Sequence, residues 1–238
     1  TSYGREACRA LVGPLAEAGI PIISGLAAGI DTEAHKTALA AHGYTIAVLG
    51  SGIDRTVLYP TSNRRLADEI VSSGGALVSE YPPDFKANTW TFPPRNRIIA
   101  GLASAVLVVE ARKKSGTLIT ARNALELGRD VLAVPGSIFS ATSETPHMLI
   151  RDGAVPVTTP EDIFRALGME EKLQIKTTAL EHMSEGEQHI LHALSEPASA
   201  NDIARALHIP IGNVQQALAL LEIHGMVRNM GNGIYRKL

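Results

Sequence analysis

The sequence predicts an α/β protein with a Rossmann-like, doubly wound, mostly parallel sheet, followed by a small C-terminal winged-helix domain. Short apolar runs alternate with amphipathic stretches over the first two thirds of the chain. This alternation is typical of parallel strands that helices cover on both faces. Glycine-bearing turns follow several apolar runs and open helices, as in sheets that bind ligands at the carboxyl ends of their strands. Near the C-terminus the order changes to three helices and a hairpin signal, the pattern of a winged helix-turn-helix.

The predicted elements of the first domain follow from apolar runs and from helix start and stop signals. The expected strands are residues 21–23, 45–49, 76–79, 105–109 and 131–134, with a short one at Val155 and Val157. The expected helices are residues 5–18, 31–41, 63–73, 118–127 and 161–167. Asp31 is a good N-cap, and Thr159-Pro160 places proline at the first helical position. Because a doubly wound sheet normally starts with a strand, we expect residues upstream of the first helix.

We expect a domain boundary in a polar, aperiodic stretch. The predicted domains are residues 1–168 and 183–238, joined by a linker at 169–182. The second domain starts with a capping box, Ser184 and Glu187. Its expected helices are residues 184–194, 199–207 and 211–224, stopped by Gly225, and its expected strands are 226–228 and 234–236 around the turn Gly231-Asn232-Gly233.

The composition narrows the classes of protein. The chain has 238 residues and is 45% hydrophobic, so it can form a buried core. Its formal net charge of −2 argues against binding duplex DNA through an overall positive charge. Its one cysteine, Cys8, excludes a disulfide framework and a cysteine-based zinc site, and indicates a reducing cytoplasm. No apolar run is long enough to span a bilayer, so we expect no membrane partner.

The most informative stretch is residues 92–136. It carries Arg95, Asn96 and Arg97 in an expected loop ahead of the strand 105–109. That strand leads into a charged, glycine-bearing turn that opens a helix. The turn residues are Lys113, Lys114, Ser115, Gly116 and Thr117, preceded by Arg112. Unpaired amides and the helix dipole at such a turn bind anions, so the sequence predicts a phosphate site here.

Two other features have a functional and a structural interpretation. The turn Ser24, Gly25, Leu26 to Gly29 follows a strand and opens a helix, so it is either a second phosphate cradle or a glycine turn shaped by packing. Arg95 and Arg97 can make bidentate phosphate contacts, or one of them can pair with Glu80 or Glu110 to brace the loop. Asn96 is expected to hold that loop by backbone hydrogen bonds.

The sequence offers no catalytic residues, no metal site and no cofactor. No histidine and carboxylate grouping has metal-ligand spacing, and no serine, histidine and aspartate order predicts a nucleophile. The turn at residues 50–54 lacks the further glycine of a dinucleotide fingerprint. The expected recognition helix of the winged-helix domain, residues 211–224, has no lysine or arginine, which favours a protein-interaction or weakly DNA-binding module.

Together these motifs resemble the DNA-processing protein A family, also called DprA or Smf. The matching stretches are SGLAAGIDTEAH at 24–35, VLGSGIDRTVLYP at 48–60, SEYPP at 79–83, FPPRNRIIAGLA at 92–103, EARKKSGTLITARNALELGRDVLAVPGSI at 110–138 and LIRDGA at 149–154. They cover nearly the whole first domain, and the winged helix follows in the expected place.

The resemblance implies a non-enzymatic, cytoplasmic, homodimeric protein. It would bind single-stranded DNA and load the RecA recombinase onto it in natural transformation and recombination. It places the DNA contacts on the turn at 24–29, on Arg95 and Arg97, and on Lys114. Two departures from the family pattern matter. The family usually has arginine where this chain has Ala28, and the family's usual first strand with its GxR element, and any small N-terminal domain, are not in this sequence.

Two alternatives remain open. A nucleotide-processing phosphoribohydrolase would share the Rossmann-like core, but Thr120 stands where its catalytic glutamate is expected, which removes the acid–base agent. A transcription regulator would use the winged helix to read a duplex operator.

Overall fold

The computed structural model describes residues 1–113, 115–170, 184–194, 196–223, 226–231 and 233–237. The chain divides into two compact units, Thr1–Gly168 and Met169–Leu238. Lys114, most of the expected linker, Gly225 and Asn232 lie outside the described residues. None of the described helices has the length and apolar character to cross a membrane.

The first unit contains six short strands that pair in parallel. They are β1 (Ile22–Ser24), β2 (Thr45–Val48), β3 (Ala76–Val78), β4 (Ala105–Val108), β5 (Asp130–Ala133) and β6 (Val155–Pro156). In the part of the chain that the structure describes, they form two three-stranded sheets, with the orders β1-β2-β3 and β4-β5-β6. Ile23 pairs with Ile46 in the first sheet, and Val106 pairs with Val131 in the second. The predicted parallel α/β class is confirmed.

In the described part of this unit, seven α-helices precede, connect or follow these strands. They are α1 (Ser2–Glu17), α2 (Ile30–Ala40), α3 (Arg64–Ser72), α4 (Phe92–Leu102), α5 (Thr117–Glu126), α6 (Glu144–Arg151) and α7 (Pro160–Ala166). The predicted helices lie within a few residues of those observed. At the start of α7, the Asp162 carboxylate accepts hydrogen bonds from the amides of Thr158 and Thr159 at 2.8 and 3.0 Å.

The sequence did not predict α4 and α6 as helices. Arg95, Asn96 and Arg97 were expected in a loop ahead of the strand 105–109. In the structure Pro93 and Pro94 occupy the first turn of α4, where the missing amide hydrogens are not needed. Arg95, Asn96 and Arg97 therefore project from consecutive positions of a helix, so each points in a different direction.

The core of the first unit is built from aliphatic residues on strands and helix faces. Leu26, Leu49 and Ile70 belong to a buried cluster at the first sheet. Val108 and Val131, which lie on β4 and β5, belong to a buried cluster at the second sheet. One buried polar group supports the first sheet: the His35 ring contacts the Thr45 hydroxyl at 2.7 Å, and that hydroxyl donates to the Ile22 carbonyl at 2.8 Å. The hydroxyl of Thr45 thereby links β2 to β1. The other ring nitrogen of His35, Nε2, is buried and has no hydrogen-bond partner among the described residues.

In its described residues, the second unit has the predicted three helices and two hairpin strands. Its helices are α8 (Glu185–Ala193), α9 (Ala200–Leu207) and α10 (Ile211–Ile223), and its strands are β7 (Ala198–Ser199), β8 (Val227–Asn229) and β9 (Ile234–Lys237) in the antiparallel order β7-β9-β8. Ile190, Ile203, Leu218 and Leu221 form the core. The capping box of Ser184 and Glu187 is present. The sequence missed β7, a two-residue strand too short to show alternation.

Candidate nucleic-acid interface

Three consecutive residues of α4 connect the loops that follow four strands. Arg95 contacts the ends of β1 and β2, Asn96 contacts the turn before α5, and Arg97 contacts the loop after β3. We call Arg95, Asn96 and Arg97 the α4 junction. Ligands of open parallel sheets bind at the carboxyl ends of strands, so the junction organises the surface where a ligand is expected.

Arg95 lies inside the protein at this junction. Its side chain donates hydrogen bonds to the Gly25 carbonyl at 2.8 Å, to the Val48 carbonyl and to Asn96 Oδ1, and its guanidinium lies 5.9 Å from the centre of the Phe92 ring. Only 5% of the residue is exposed. Burial lowers the pKa of its guanidinium, while Asp31 and Tyr81 oppose that effect.

The position of Arg95 corrects the expectation that it offers its charge to a phosphate. Its donors are committed to carbonyl oxygens at the ends of two strands, where each would otherwise be a buried acceptor without a partner. The sequence could not reveal this because Arg95 reaches carbonyls that lie 70 and 47 residues away along the chain. Arg95 is therefore a buried residue that stabilises the loops after β1 and β2.

The other two residues of the α4 junction, Asn96 and Arg97, contact the turn before α5 and the loop after β3. Asn96 donates through Nδ2 to the Gly116 carbonyl at 3.2 Å, so it fixes the turn before α5 and not the loop that the sequence predicted. Arg97 pairs with Glu80, one of the two carboxylates considered from the sequence, and 60% of its side chain is exposed. Arg97 is thus a solvent-accessible cation that an exposed carboxylate holds in place.

The protein itself supplies an acceptor to two amides of the first glycine turn, residues 24–29. The Asp31 carboxylate accepts hydrogen bonds from the amides of Gly25 and Ala27 at 3.1 and 3.2 Å. A Cβ on Gly25 would lie 2.6 Å from the Arg95 guanidinium, so this glycine makes room for a protein side chain. Leu26 is fully buried, whereas Ser24 is partly exposed. These contacts favour the structural interpretation of Gly25 and Leu26.

Gly29 and its neighbours complete the first turn. Gly29 has φ +103° and precedes α2, and no atom lies within 4 Å of a Cβ placed on it. Its conformation favours glycine for backbone reasons. The Asn63 side chain donates to the Leu26 carbonyl at 2.9 Å and to the Thr32 hydroxyl at 2.7 Å, which closes the turn from the far side.

The second glycine turn is built differently. Ser115 and Thr117 hydroxyls contact each other at 2.9 Å, and the Ser115 hydroxyl accepts the Thr117 amide at 3.2 Å. Among the described residues, no carboxylate takes an amide of this turn. Apart from Gly116 itself and its two chain neighbours, none of the residues that the structure describes has an atom closer than 3.9 Å to a Cβ placed on Gly116. Helix α5 starts at this point, and its amide dipole favours an anion.

The cations beside the second turn are exposed. Arg112 and Lys113 face solvent at the carboxyl end of β4, and neither forms an ion pair with a described carboxylate. Lys114 lies outside the described residues, so its expected contact stays a prediction. The structure thus brings Asn96, Lys113, Ser115, Gly116 and Thr117 together around the start of α5.

Sequence reasoning missed two parts of this surface. The first is the Asp31 carboxylate, which was interpreted only as a helix cap although it fills the preceding turn. The position of Asp31, two residues after Gly29, was the sequence signal that this carboxylate could accept hydrogen bonds from the turn. The second is a group of aromatic rings on the loops after β2 and β3, which no local pattern places together. Among the described residues, no three His, Cys, Asp or Glu side chains group as metal ligands would.

Both units of the chain match models of one protein family. Residues 1–168 match the family described as DNA recombination-mediator protein A, and residues 174–233 match the DprA winged helix domain. The chain belongs to this family. The predicted resemblance is confirmed, as is the combination of a Rossmann-like parallel sheet with a C-terminal winged helix.

Two relatives illustrate how much of the family the chain represents. It is 51% identical over 165 residues to protein Smf of Escherichia coli, a match that covers 69% of this chain and 44% of the relative. It is 44% identical over 167 residues to DNA processing protein DprA of Bacillus subtilis, covering 70% of this chain and 55% of that protein. The chain therefore spans about half the length of these relatives.

Solved structures of family members have the same fold. DNA processing protein A from Streptococcus pneumoniae has a TM-score of 0.64 at 45% identity, and the match covers 69% of this chain and 57% of that one. The Helicobacter pylori protein, described by its single-stranded DNA binding mode, has a TM-score of 0.63 at 28% identity, covering 71% of this chain and 76% of that one.

Proposed function

We propose that this chain binds the phosphate backbone of single-stranded DNA at the second glycine turn and is not an enzyme. The observation that carries the proposal is the open turn at Ser115–Thr117, whose amide-bearing helix start lies beside the exposed cation Lys113. A phosphate placed there would face the Gly116 amide and the hydroxyls of Ser115 and Thr117. The Ser115 amide itself donates to the Arg112 carbonyl at 2.9 Å, and the Thr117 amide donates to the Ser115 hydroxyl at 3.2 Å. The single-stranded DNA binding of the Helicobacter pylori relative supports this assignment.

The surroundings of the turn support a polyanion over a single small anion. Arg97 is exposed on the α4 junction, and Asn96 of the same helix holds the Gly116 carbonyl. Cations at more than one position can follow successive phosphates of one strand. Recognition of this kind uses no base code, so the affinity should depend steeply on salt and little on sequence.

The first turn contributes to this proposal only indirectly. Its Gly25 and Ala27 amides are occupied by Asp31, and Ala28 supplies no charge where the family usually has arginine. We propose that Ser24 and Gly29 border the DNA path, and that binding depends on the cations beside the second turn, Lys114 among them.

An enzymatic role as a phosphoribohydrolase lacks an acid–base group at the expected position. Thr120 lies on α5 with 9% exposure, and a threonine hydroxyl does not titrate near neutral pH as a catalytic carboxylate does. Release of free base from nucleoside monophosphates, measured by chromatography, would favour the enzyme instead.

Binding is tested by fluorescence anisotropy with labelled oligo-dT and a duplex of the same length across a salt series. We expect the unmodified chain to bind oligo-dT more tightly than the duplex. In the double variant Lys113→Ala with Lys114→Ala, the affinity for oligo-dT should be lower and should fall less steeply with salt concentration. The slope falls by about 0.7 for every phosphate of a single strand that the variant no longer neutralises. Arg129→Ala is the control, because Arg129 is exposed at the amino end of β5, away from the proposed site. Equal binding of oligo-dT by the double variant and the unmodified chain would contradict the site.

We further propose that the chain acts in the bacterial cytoplasm as a homodimer that loads the RecA recombinase onto the bound strand. Two copies would present two phosphate sites to one strand and gain affinity by avidity. Sedimentation with and without oligo-dT tests the dimer. Faster RecA filament assembly on oligo-dT in the presence of the chain tests loading, and an unchanged assembly rate would count against it.

The winged-helix unit is proposed as a protein-interaction module. Its helix α10 has no lysine or arginine, and Val214, Leu218 and Leu221 of this helix are buried in the core of that unit. A helix without lysine or arginine cannot neutralise the phosphates of duplex DNA through its own side chains. A footprint on a defined duplex operator would instead favour a transcription regulator.

A further inference from the structure

Half of the chain's ten aromatic side chains lie in the loops after β2 and β3 and at the start of α4. They form two groups of ring contacts. Tyr59 lies 5.6 Å from Phe92, while Tyr81 stacks on Phe85 at 4.7 Å with an interplanar angle of 14°. Trp90 meets the edges of that stack, with ring centres 6.4 and 6.0 Å away from those of Tyr81 and Phe85.

The loop backbones hold these rings in place. The Phe85 carbonyl accepts the Gly52 amide at 2.8 Å, which ties the loop after β3 to the loop after β2. Asn88 and Thr91 close a turn around Trp90, with the Thr91 amide and hydroxyl donating to the Asn88 carbonyl at 3.0 and 2.7 Å. The indole is therefore presented by a hydrogen-bonded turn and supported by two other rings.

The supporting rings are partly buried, but the outer rings are open to solvent. Trp90 is 58% exposed and Tyr59 is 54% exposed, whereas Tyr81, Phe85 and Phe92 are only partly exposed. An indole that is held by its neighbours and more than half exposed offers a flat face to a planar partner. Such a partner can adopt the offset-stacked arrangement that aromatic pairs favour.

The same loops carry exposed cations. Lys86 follows Phe85 and is exposed, and Tyr81 follows Glu80, which accepts from the Arg97 guanidinium of the α4 junction. Aromatic rings interleaved with cations are the combination by which proteins hold single strands, since bases stack on rings while phosphates meet charges. A protein partner would not require aromatic rings and cations to alternate, so this arrangement favours a single-stranded nucleic acid.

We propose that the exposed ring of Trp90, and with it the exposed ring of Tyr59, is a stacking surface for the bases of single-stranded DNA. This inference rests on the proposed function, and it assigns the bases to the loops after β2 and β3 while the phosphates lie along the α4 junction and the second glycine turn. Stacking tolerates any base, because every base has a π-face. The surface therefore adds affinity for single strands, whose bases are available, over duplexes, whose bases are not.

The chain itself supplies a direct signal, since Trp90 is its one tryptophan. We expect oligo-dT to quench the intrinsic fluorescence of the unmodified chain, and an abasic oligonucleotide of the same length to bind more weakly without quenching. Trp90→Ala should bind oligo-dT roughly tenfold more weakly and the abasic strand equally well. Trp90→Phe should retain most of the affinity. Tyr44→Ala is the matched control, because Tyr44 is exposed just before β2, at the amino end of that strand.

The outcomes separate this inference from the proposed function. Quenching by oligo-dT together with a base-dependent loss in Trp90→Ala supports the stacking surface. Tight binding of oligo-dT with unchanged fluorescence and unaltered affinity in Trp90→Ala overturns the stacking surface and leaves the phosphate site standing. Failure of the unmodified chain to bind either strand overturns both.

Discussion

The two glycine turns of the first unit are similar in sequence and opposite in their surroundings. The turn at 24–29 is filled by the protein, since Asp31 takes two of its amides and the Arg95 guanidinium lies against Gly25. The turn at Ser115–Thr117 has no such carboxylate among the described residues, and exposed cations precede it. A glycine turn before a helix is thus an anion site only when the protein does not supply the anion itself.

These contacts favour a structural role for the first turn, and the proposed function assigns the ligand to the second. The α4 junction links them, because neighbouring residues of one helix reach Gly25 on one side and Gly116 on the other. Changes at the first turn should act on stability, and changes at the second should act on binding.

The largest effect is expected from Arg95→Ala. The substitution leaves the carbonyls of Gly25 and Val48 without their buried donor, which costs about 3 kcal/mol or more in the free energy of unfolding. Thermal unfolding should show the first unit destabilised by roughly 10 °C. Arg65→Ala is the control, because 90% of the Arg65 side chain is exposed. A stable Arg95→Ala protein with weakened DNA binding would reverse the roles assigned to Arg95 and the first turn.

A matched pair of glycine substitutions compares the turns directly. Gly25→Ala places a methyl group 2.6–2.9 Å from the Arg95 guanidinium, and we expect a loss of about 1–3 kcal/mol. Gly116→Ala meets no atom closer than 3.9 Å, and its φ of −58° suits alanine, so stability should change by no more than about 0.5 kcal/mol. Urea unfolding measures both. Equal losses at the two positions would mean that the second turn is as tightly packed as the first.

The pH dependence of stability tests the helix that the first turn opens. Burial lowers the pKa of His35 on α2 from 6.5 to about 4, with Asp31 opposing. The unfolded state therefore takes up a proton before the folded state does. The neutral ring's contribution is full above pH 6.5 and is lost as the pH falls toward 4. Between about pH 7 and about pH 5 the free energy of unfolding should drop by about 2 kcal/mol through this group.

Urea unfolding of His35→Gln at both pH values checks this assignment. The variant should be less stable at the higher pH, because the contact with the Thr45 hydroxyl changes, and it should lose most of this pH dependence. A slope as steep as that of the unmodified chain would place the titrating group elsewhere.

The smallest effect concerns the exposed pair of the α4 junction. Glu80→Gln removes the negative charge that faces Arg97, so the guanidinium becomes more available to a phosphate. We expect oligo-dT to bind roughly threefold more tightly at low salt, since exposed pairs contribute little energy. Anisotropy titrations measure this, with Asp68→Asn as the control for an exposed carboxylate that pairs with Arg55 instead. Weaker binding by Glu80→Gln would show that the pair orients Arg97 and does not compete for it.

The sequence by itself determined the α/β class, the winged helix, the family and the position of most elements. These depend on short-range patterns: apolar runs of four or five residues, capping residues and glycine stops act within one or two turns of the chain. The strand ending before Lys113 and the helix starting at Thr117 were predicted for this reason. Helix α4 was missed because two prolines at a helix start look locally like a loop.

Only the tertiary structure decided what the polar side chains do. Arg95 was expected on a ligand and lies under the surface, because its acceptors come from strands that are distant in sequence. Among the described residues, Asp31 takes amides of the first turn only. The loop that carries Trp90 and its supporting rings is tied to the loop after β2 by the hydrogen bond from the Gly52 amide to the Phe85 carbonyl. Hydrogen bonds and ring contacts depend on distances of a few ångströms between remote residues, and those distances are set only when the strands pair and the helices pack.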